Sequence, residues 1–484
     1  MKEGKKERSH WLILVILALA QFMVVLDVSI VNVMLPAVQK AFHMSQTDLS
    51  WIITAYTITF GGFLLLGGRA ADLFGRRRVF LTGVSFFALF SLLDGLSQSG
   101  GMLITLRAFQ GLSGAFMSPA ALSIVLVTYR EGHARNLALS VWGAVSSGGA
   151  AVGLLLGGFI TQYWGWRWNF FINIPVGLFV ILMAIRLVKK HENEEKRTSL
   201  DLFGAVTVTG GLMMLVYALI EAPTKGWTAH STLLYFALSL VLLIAFIVNE
   251  TKTKHPLIPL SIFKNRNVSG ADAIMLMTAA GLFSVFFFST LYVQEILGYS
   301  PSRTGLAFLP IPFVIAITAT IAPRLIKIIG SKPLLIMAPL FTAGGLLLLA
   351  QVPVHGGYFA HLVPGMVLMG FGLGFTFVSV LVTATSGVAG HLSGLASGLV
   401  NTAQQIGGSL GLAILTGIAS SSTLRYLRNA HSSTGLTAIA ARVHGFHSGY
   451  YTAAFFAIGA SVIAIIVIKN IKPKNVDVSK LETS

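Results

Sequence analysis

Gly68-Arg69-Ala70-Ala71-Asp72-Leu73-Phe74-Gly75-Arg76-Arg77-Arg78 lies between two long apolar runs, Val24–Leu66 and Val79–Ser99. Two glycines, one acid and four arginines crowded between such runs read as a tight turn on the cytoplasmic face of a membrane, where Lys and Arg accumulate. Asp72 is expected to close one helix and the arginines to open the next, with the glycines letting the helix ends approach. A plain positive-inside loop would share this composition. The spacing of Gly68, Asp72, Gly75, Arg76 and Arg77 is what sets the stretch apart.

The composition agrees with a membrane. Of 484 residues, 55% are hydrophobic and only 11% charged, against roughly 25% charged in an ordinary soluble domain. No single aqueous core hides that much apolar surface, so lipid is the solvent. The net charge of +17 resides in short loops between apolar runs, which points to the membrane and away from nucleic acid. There are no cysteines, hence no disulfides, thiolate nucleophiles or cysteine metal sites. A basic N-terminus before Trp11–Leu26 imitates a signal peptide, but the run continues through Asp27 to Pro36 without a small-residue cleavage site and reads as the first span.

With about 20 apolar residues per span, the chain holds fourteen: 11–34, 49–68, 79–97, 102–129, 137–162, 168–188, 202–221, 230–249, 269–293, 303–323, 332–351, 359–386, 394–420 and 449–469. With the N-terminus inside, 26 Lys and Arg fall in inward segments and 7 in outward ones, so both termini are expected in the cytoplasm. A second, weaker copy of the opening stretch, Pro323–Lys332, sits between spans 10 and 11. There Gly330 aligns with Gly75 and Lys332 with Arg77, while Lys327 replaces Asp72. The expected division is an N-terminal six-helix bundle at 1–188, a linker with two additional spans at 189–266, a C-terminal six-helix bundle at 267–470 and a cytoplasmic tail at 471–484. No segment outside the spans is long enough for a soluble enzyme.

Two charges lie within spans. Asp27 is surrounded by apolar residues, and an acid there costs roughly 2.5–3.5 kcal/mol on insertion scales, so it is a functional hypothesis by default. Such a group suits the uptake and release of a proton. A permanently paired structural acid is the plainer alternative. Arg107, in span 4, lies about 9 Å from the outer side and Asp27 about 13 Å, counted along their helices. The two are expected to sense each other's charge. Asp94, near the outer end of span 3, competes for the arginine as a structural partner. Gly149, Gly153 and Gly157 fall on one face of span 5, next to Gly158, and permit close helix contact. Asn32, Gln110, Asn401 and Gln404 are candidate polar groups of a cavity. Asp272, Glu295 and Glu221 stand near span ends and are expected to reach the interface. His444 and His447 read as a solvated outer loop and make a poor metal site. Gly370–Gly374 lies in an apolar run without a preceding strand, so helix packing accounts for it. No Walker lysine motif is present, which removes ATP as the energy source.

The opening stretch resembles the signature loop of the major facilitator superfamily, G-x-L-a-D-r-x-G-r-k, with Ala70 and Leu73 departing from it. Leu26–Pro36 is similar to the L-D-x-[TS]-I-V-N-V-A-L-P segment of its fourteen-span drug:proton antiporters, with Met34 in place of Ala. Arg107–Ala115 resembles R-x-x-q-G-x-g-a, associated there with proton coupling. Gly149–Gly158 resembles G-x-x-x-G-P-x-x-G-G, with Leu154 at the proline. Trp164–Pro175 and Ser393–Gly411 resemble further segments, the latter with Gln404 where many relatives carry Arg. The resemblance implies an all-α polytopic membrane protein of the facilitator fold: two six-helix bundles plus two inserted helices, fourteen transmembrane helices in all. It implies Asp27 and Arg107 as the proton-coupling pair and the Gly68–Arg77 loop as a cytoplasmic latch, opening and closing around Asp72. The implied function is proton-coupled multidrug efflux of amphipathic or cationic compounds by alternating access. The chain would be no enzyme and hold no cofactor or metal; it would be a monomer in the cell membrane, partnered by substrate, protons and lipid. Leu154 keeps open a narrow-specificity exporter or a symporter of one metabolite or antibiotic. A non-transporting sensor is the remaining alternative.

Overall fold

The computed structural model describes residues 2–129, 132–188, 200–386, 388–389, 392–430 and 435–470. Most of the polar linker expected after 188, and the tail expected at 471–484, lie outside the described residues. Within them every regular element is a helix, since a backbone in lipid must satisfy its own hydrogen bonds. In chain order these are α1 (Lys2–Phe42), α2 (Gln46–Phe74), α3 (Arg76–Gly95), α4 (Gly100–Thr128), α5 (His133–Tyr163), α6 (Trp168–Phe171), α7 (Asn173–Leu187), α8 (Leu202–Lys225), α9 (His230–Lys252), α10 (Arg266–Leu291), α11 (Pro301–Ala307), α12 (Pro310–Ile329), α13 (Ser331–Leu349), α14 (Val363–Thr385), α15 (Ser393–Ala430) and α16 (Gly435–Ile466). Among the described residues fourteen helical segments are long and apolar enough to cross a membrane, α6 with α7 and α11 with α12 each forming one.

Three boundaries depart from expectation. Span 10 is broken into α11 and α12, because Pro310 has no N–H to continue a helix and instead opens the second one. α15 and α16 extend well past the expected 394–420 and back before 449, so His444 and His447 lie within α16 and not in a loop. A hydropathy window finds only the lipid-facing part of a helix that continues into polar surroundings. His447 Nε2 donates to the Val352 carbonyl at 2.7 Å.

The joints follow local chemistry. Ser45 and Ser99 cap α2 and α4 by accepting from the N–H of Asp48 and of Met102. Between α2 and α3 stands Gly75, at φ +96°, where an added Cβ would meet nothing within 4 Å; its role is conformational. The close approach of α2 to α4 belongs to Gly67, where an added Cβ would lie 2.1 Å from the Ala115 carbonyl oxygen. Gly68 is roomier, its nearest neighbour being Pro119 Cβ at 3.7 Å.

α1–α5 and α7 pack around Leu17, Val84, Phe87, Ala115 and Val180. α10 and α13–α16 pack around Ile274, Leu335, Val380 and Ala460 at the Gly75 end. At the opposite end, which carries Trp164, one apolar cluster runs across both bundles, from Val33 and Leu35 through Leu154 to Phe287, Phe308 and Ile311. The sequence repeat has a structural counterpart. Gly330, at φ +86°, joins α12 to α13 as Gly75 joins α2 to α3. Arg77 Nη2 donates to Ile185 O in the last turn of α7 at 2.6 Å, and Lys332 Nζ to Ile465 O in the last turn of α16 at 2.8 Å. Each cation sits on the negative end of the final helix of its bundle.

Of the two inserted helices, the first stands at the join. α8 packs against both α2 and α15, with Val216 and Ile220 between Ile58 and Ala413. α9 packs on α8 and turns Leu240, Val241 and Ile244 outward. At the start of α8, Asp201 accepts from the Gly204 N–H and from the Asn249 amide, each at 2.8 Å. Burial alone would push its carboxyl up, but these bonds and one with Glu250 outweigh it and hold Asp201 below the ordinary carboxylate value.

Candidate functional site

Five helices bring one residue set together in the middle of the first bundle. α1 supplies Asp27, α4 Arg107 and Gln110, α7 Asn173, α3 Ser91, and α2 the Ile52 carbonyl and the Tyr56 ring. Asp27 and Gln110 are fully buried and Arg107 is 1% exposed, the largest fully buried side chain among the described residues. Arg107 Nη1 meets Asp27 Oδ2 and Gln110 Oε1, each at 2.5 Å, and its Nε donates to Ile52 O at 3.3 Å. Its Cζ stands 4.3 Å from the centre of the Tyr56 ring, a cation–π distance. The other carboxylate oxygen, Asp27 Oδ1, accepts from Gln110 Nε2 at 2.9 Å and from Asn173 Nδ2 at 3.2 Å. Asn173 also reaches Ser91 Oγ at 3.0 Å, and Ser91 donates to Phe170 O at 2.8 Å.

A charge pair this deep survives only when each partner neutralises the other and spare lone pairs are met. Asp27 meets that condition with donors on both oxygens. Asp94, the other acid considered for Arg107, makes no hydrogen bond to it.

The α5 glycines flank the acid. A Cβ on Gly149 would touch Val25, on Gly153 would touch Ser29 and the Leu26 backbone, and on Gly157 would touch Ile30. The stripe therefore lets α5 lie directly on the Asp27 turn of α1. Gly158 instead faces α11 of the other bundle, 2.5 Å from the Pro301 oxygen by the same construction. Leu154 is buried, and its carbonyl is the surface against which Gly305 of α11 packs.

The opening stretch forms a second centre. Asp72 pairs with Arg76 at 3.1 Å within the loop, both side chains being part-exposed. Arg77 ties the loop to α7. Arg69 reaches further, donating to the carbonyls of His255 at 3.0 Å and Pro256 at 2.8 Å in the connection after α9.

The proposed cavity polars separate. Gln110 belongs to the Arg107 network. Asn32 donates to Val28 O of its own helix at 3.0 Å. Asn401 is exposed and Gln404 half-buried on α15, and neither belongs to the Asp27 network. Asp272, expected at the interface, has both carboxylate oxygens buried and without a hydrogen-bond partner. Glu295 pairs with Arg442 at 2.6 Å. Sequence reasoning quoted Asn173 only as part of Trp164–Pro175 and missed its contact with Asp27; an amide inside a span was the available signal.

The sequence matches the Major Facilitator Superfamily over residues 17–412. The chain belongs to that superfamily. Similar proteins include the puromycin resistance protein pur8 of Streptomyces alboniger, 41% identical over 468 residues, covering 96% of this chain and 92% of the relative. The cephamycin export protein CmcT of Amycolatopsis lactamdurans is 36% identical over 413 residues, 85% of each chain. The multidrug resistance protein Stp of Mycobacterium tuberculosis is 31% identical over 408 residues, 84% of this chain and 75% of that one. Among solved structures, a bacterial homolog of the human lysosomal transporter Spinster, in an inward-facing and unoccupied conformation, superposes with a TM-score of 0.68 at 14% identity, covering 95% of this chain and 97% of that one. The facilitator fold places the Asp27 network in one bundle of a two-bundle transporter.

Proposed function

We propose that this superfamily member is a proton-coupled exporter of amphipathic, often cationic, antibiotics or toxic compounds in the cell membrane, with both termini in the cytoplasm. The observation that carries the reading is the buried Asp27–Arg107 pair, completed by Gln110 and Asn173. An acid at that depth is costly to place in lipid, which makes it a functional hypothesis by default. The relatives' names support the reading: those for cephamycin and tetracenomycin C carry export, and those for puromycin and lincomycin carry resistance.

In this reading the bodies 1–188 and 267–470 rock against each other, joined by 189–266, in a chain that works as a monomer. Ionised Asp27 locks α1 to α4 and α7. A proton on Asp27 removes its charge, releases Arg107 and favours the other conformation; substrate favours the ionised one. Only such differential affinity moves the equilibrium. The contacts at the Trp164 end, taken as the outer side, suit an inward-facing state. Gln162 of α5 meets Ser302 of α11 there, and Gln294 Nε2 donates to Val33 O of α1 at 2.8 Å. Asp72 with Arg76 and Arg77 acts as the cytoplasmic latch, and Arg69 extends it to the connection after α9.

The test is proton movement in liposomes holding the purified protein, with and without ethidium. The wild type should release protons when ethidium moves, and Asp27→Asn should not. Coupled flux that survives in Asp27→Asn would remove the proton site from Asp27. A second reading, export of a single antibiotic, is favoured by the relatives whose names each carry one compound, and by Leu154. A panel of chemically unrelated substrates separates the two.

A further inference from the structure

Asp94 is fully buried, one residue before the end of α3, and no described residue hydrogen-bonds to either of its carboxylate oxygens. It lies one helical turn beyond Ser91, so it shares a face with the group that holds Asn173. Two charges act on it among the described residues: Arg107 of α4 attracts and Asp27 of α1 repels. Tyr56 of α2, under the Arg107 guanidinium, also has a buried hydroxyl without a partner, and Asn173 of α7 is engaged by Asp27 and Ser91. Arg167, beside the end of α3, is engaged elsewhere: its Nη2 donates to Ser97 O at 2.9 Å and its guanidinium lies 4.4 Å from the Trp166 ring.

One guanidinium thus serves two buried carboxyls. Both cannot stay ionised, because the second negative charge would have neither cation nor donor, and an uncompensated charge in lipid costs far more than a neutral acid without a partner. Asp27 has the donors: Arg107, Gln110 and Asn173. Asp94 has none, so the proton belongs there.

We propose that Asp94 is a second proton-carrying carboxyl that exchanges its proton with Asp27 while Arg107 changes partner. The step balances. The O–H bond of the Asp94 acid breaks, an O–H bond forms on Asp27, and the ion pair passes from Arg107–Asp27 to Arg107–Asp94. Arg107 keeps its own proton throughout and the net charge of the site is unchanged. Asp94 stands nearer the Trp164 end than Asp27, which makes it the entry point for protons from outside. This rests on the exporter reading.

Infrared difference spectroscopy tests the protonation, and flux tests the relay. The difference between the wild-type and Asp94→Asn spectra should contain the carbonyl stretch of a protonated carboxylic acid; in Asp27→Asn that stretch should weaken, because Arg107 is then free to pair with an ionised Asp94. Asp94→Glu should shift the band to the glutamic acid position and restore transport. Export driven by a pH gradient should fall about a hundredfold in Asp94→Asn, and its pH profile should change. A wild-type band left unchanged by Asp94→Asn, or a variant with wild-type flux and pH profile, overturns the proposal. Should Asp94→Asn fail to fold, the band shift in Asp94→Glu decides. Wild-type flux that ignores the pH gradient overturns the exporter reading and the relay with it, while the band still decides where the buried proton sits.

Discussion

Arg107 is held from three sides at once, by Asp27, Gln110 and the Ile52 carbonyl, above the Tyr56 ring. Removing it strands Asp27 in a dry site. Arg107→Ala should therefore lose about 3–5 kcal/mol of stability, whereas Arg107→Ala combined with Asp27→Asn should recover much of the loss, since no charge is then left unpaired. Thermal unfolding of the purified variants checks this, and simple additivity would contradict it. Arg107→Lys keeps the charge but lacks the planar fork that serves several acceptors, so it should fold and transport poorly. The two charges were legible in the sequence because a charge in an apolar run stands out. Asn173 was not. A neutral amide near an aromatic belt attracts no notice, and its partners Ser91 and Asp27 stand 82 and 146 residues away in the chain.

Among elements, Gly67 within α2 and Gly75 at its end differ in kind. At Gly67 an added Cβ collides with the Ala115 backbone, which cannot move aside without separating α2 from α4. Gly67→Val should thus cost at least about 1–3 kcal/mol and lower the yield of folded protein. Gly75→Ala meets open space, and its cost is only the strain of a positive φ, about 1 kcal/mol. Equal melting temperatures for the two variants would refute the distinction. The sequence motif drew attention to Gly68 and Gly75, yet the tight contact falls at Gly67. Which of adjacent glycines faces a neighbour depends on the rotation of α2, and spacing does not report rotation. Span number was readable because lipid thickness fixes helix length. Helix ends beyond the lipid were not, as α15 and α16 show.

For the whole molecule, alternating access requires the Trp164 end to open. The chain has no cysteine, so a pair introduced as Gln162→Cys and Ser302→Cys would be the only thiols present. Crosslinking α5 to α11 should stop transport and reduction should restore it, as followed by ethidium efflux; full transport by the crosslinked protein would exclude motion at this contact. The sequence by itself determined that the chain is a helical membrane protein, how often it crosses, and which charges are out of place in lipid. These follow from transfer free energies, which are properties of each residue and its immediate neighbours. Tertiary structure alone decided that Arg107 faces Asp27 while Asp94 is left without a partner, that α5 rests on the Asp27 turn, and that α8 bridges both bundles through α2 and α15. Those outcomes depend on how each helix is rotated and on which residues distant in sequence meet, and packing fixes both only when all the helices are present.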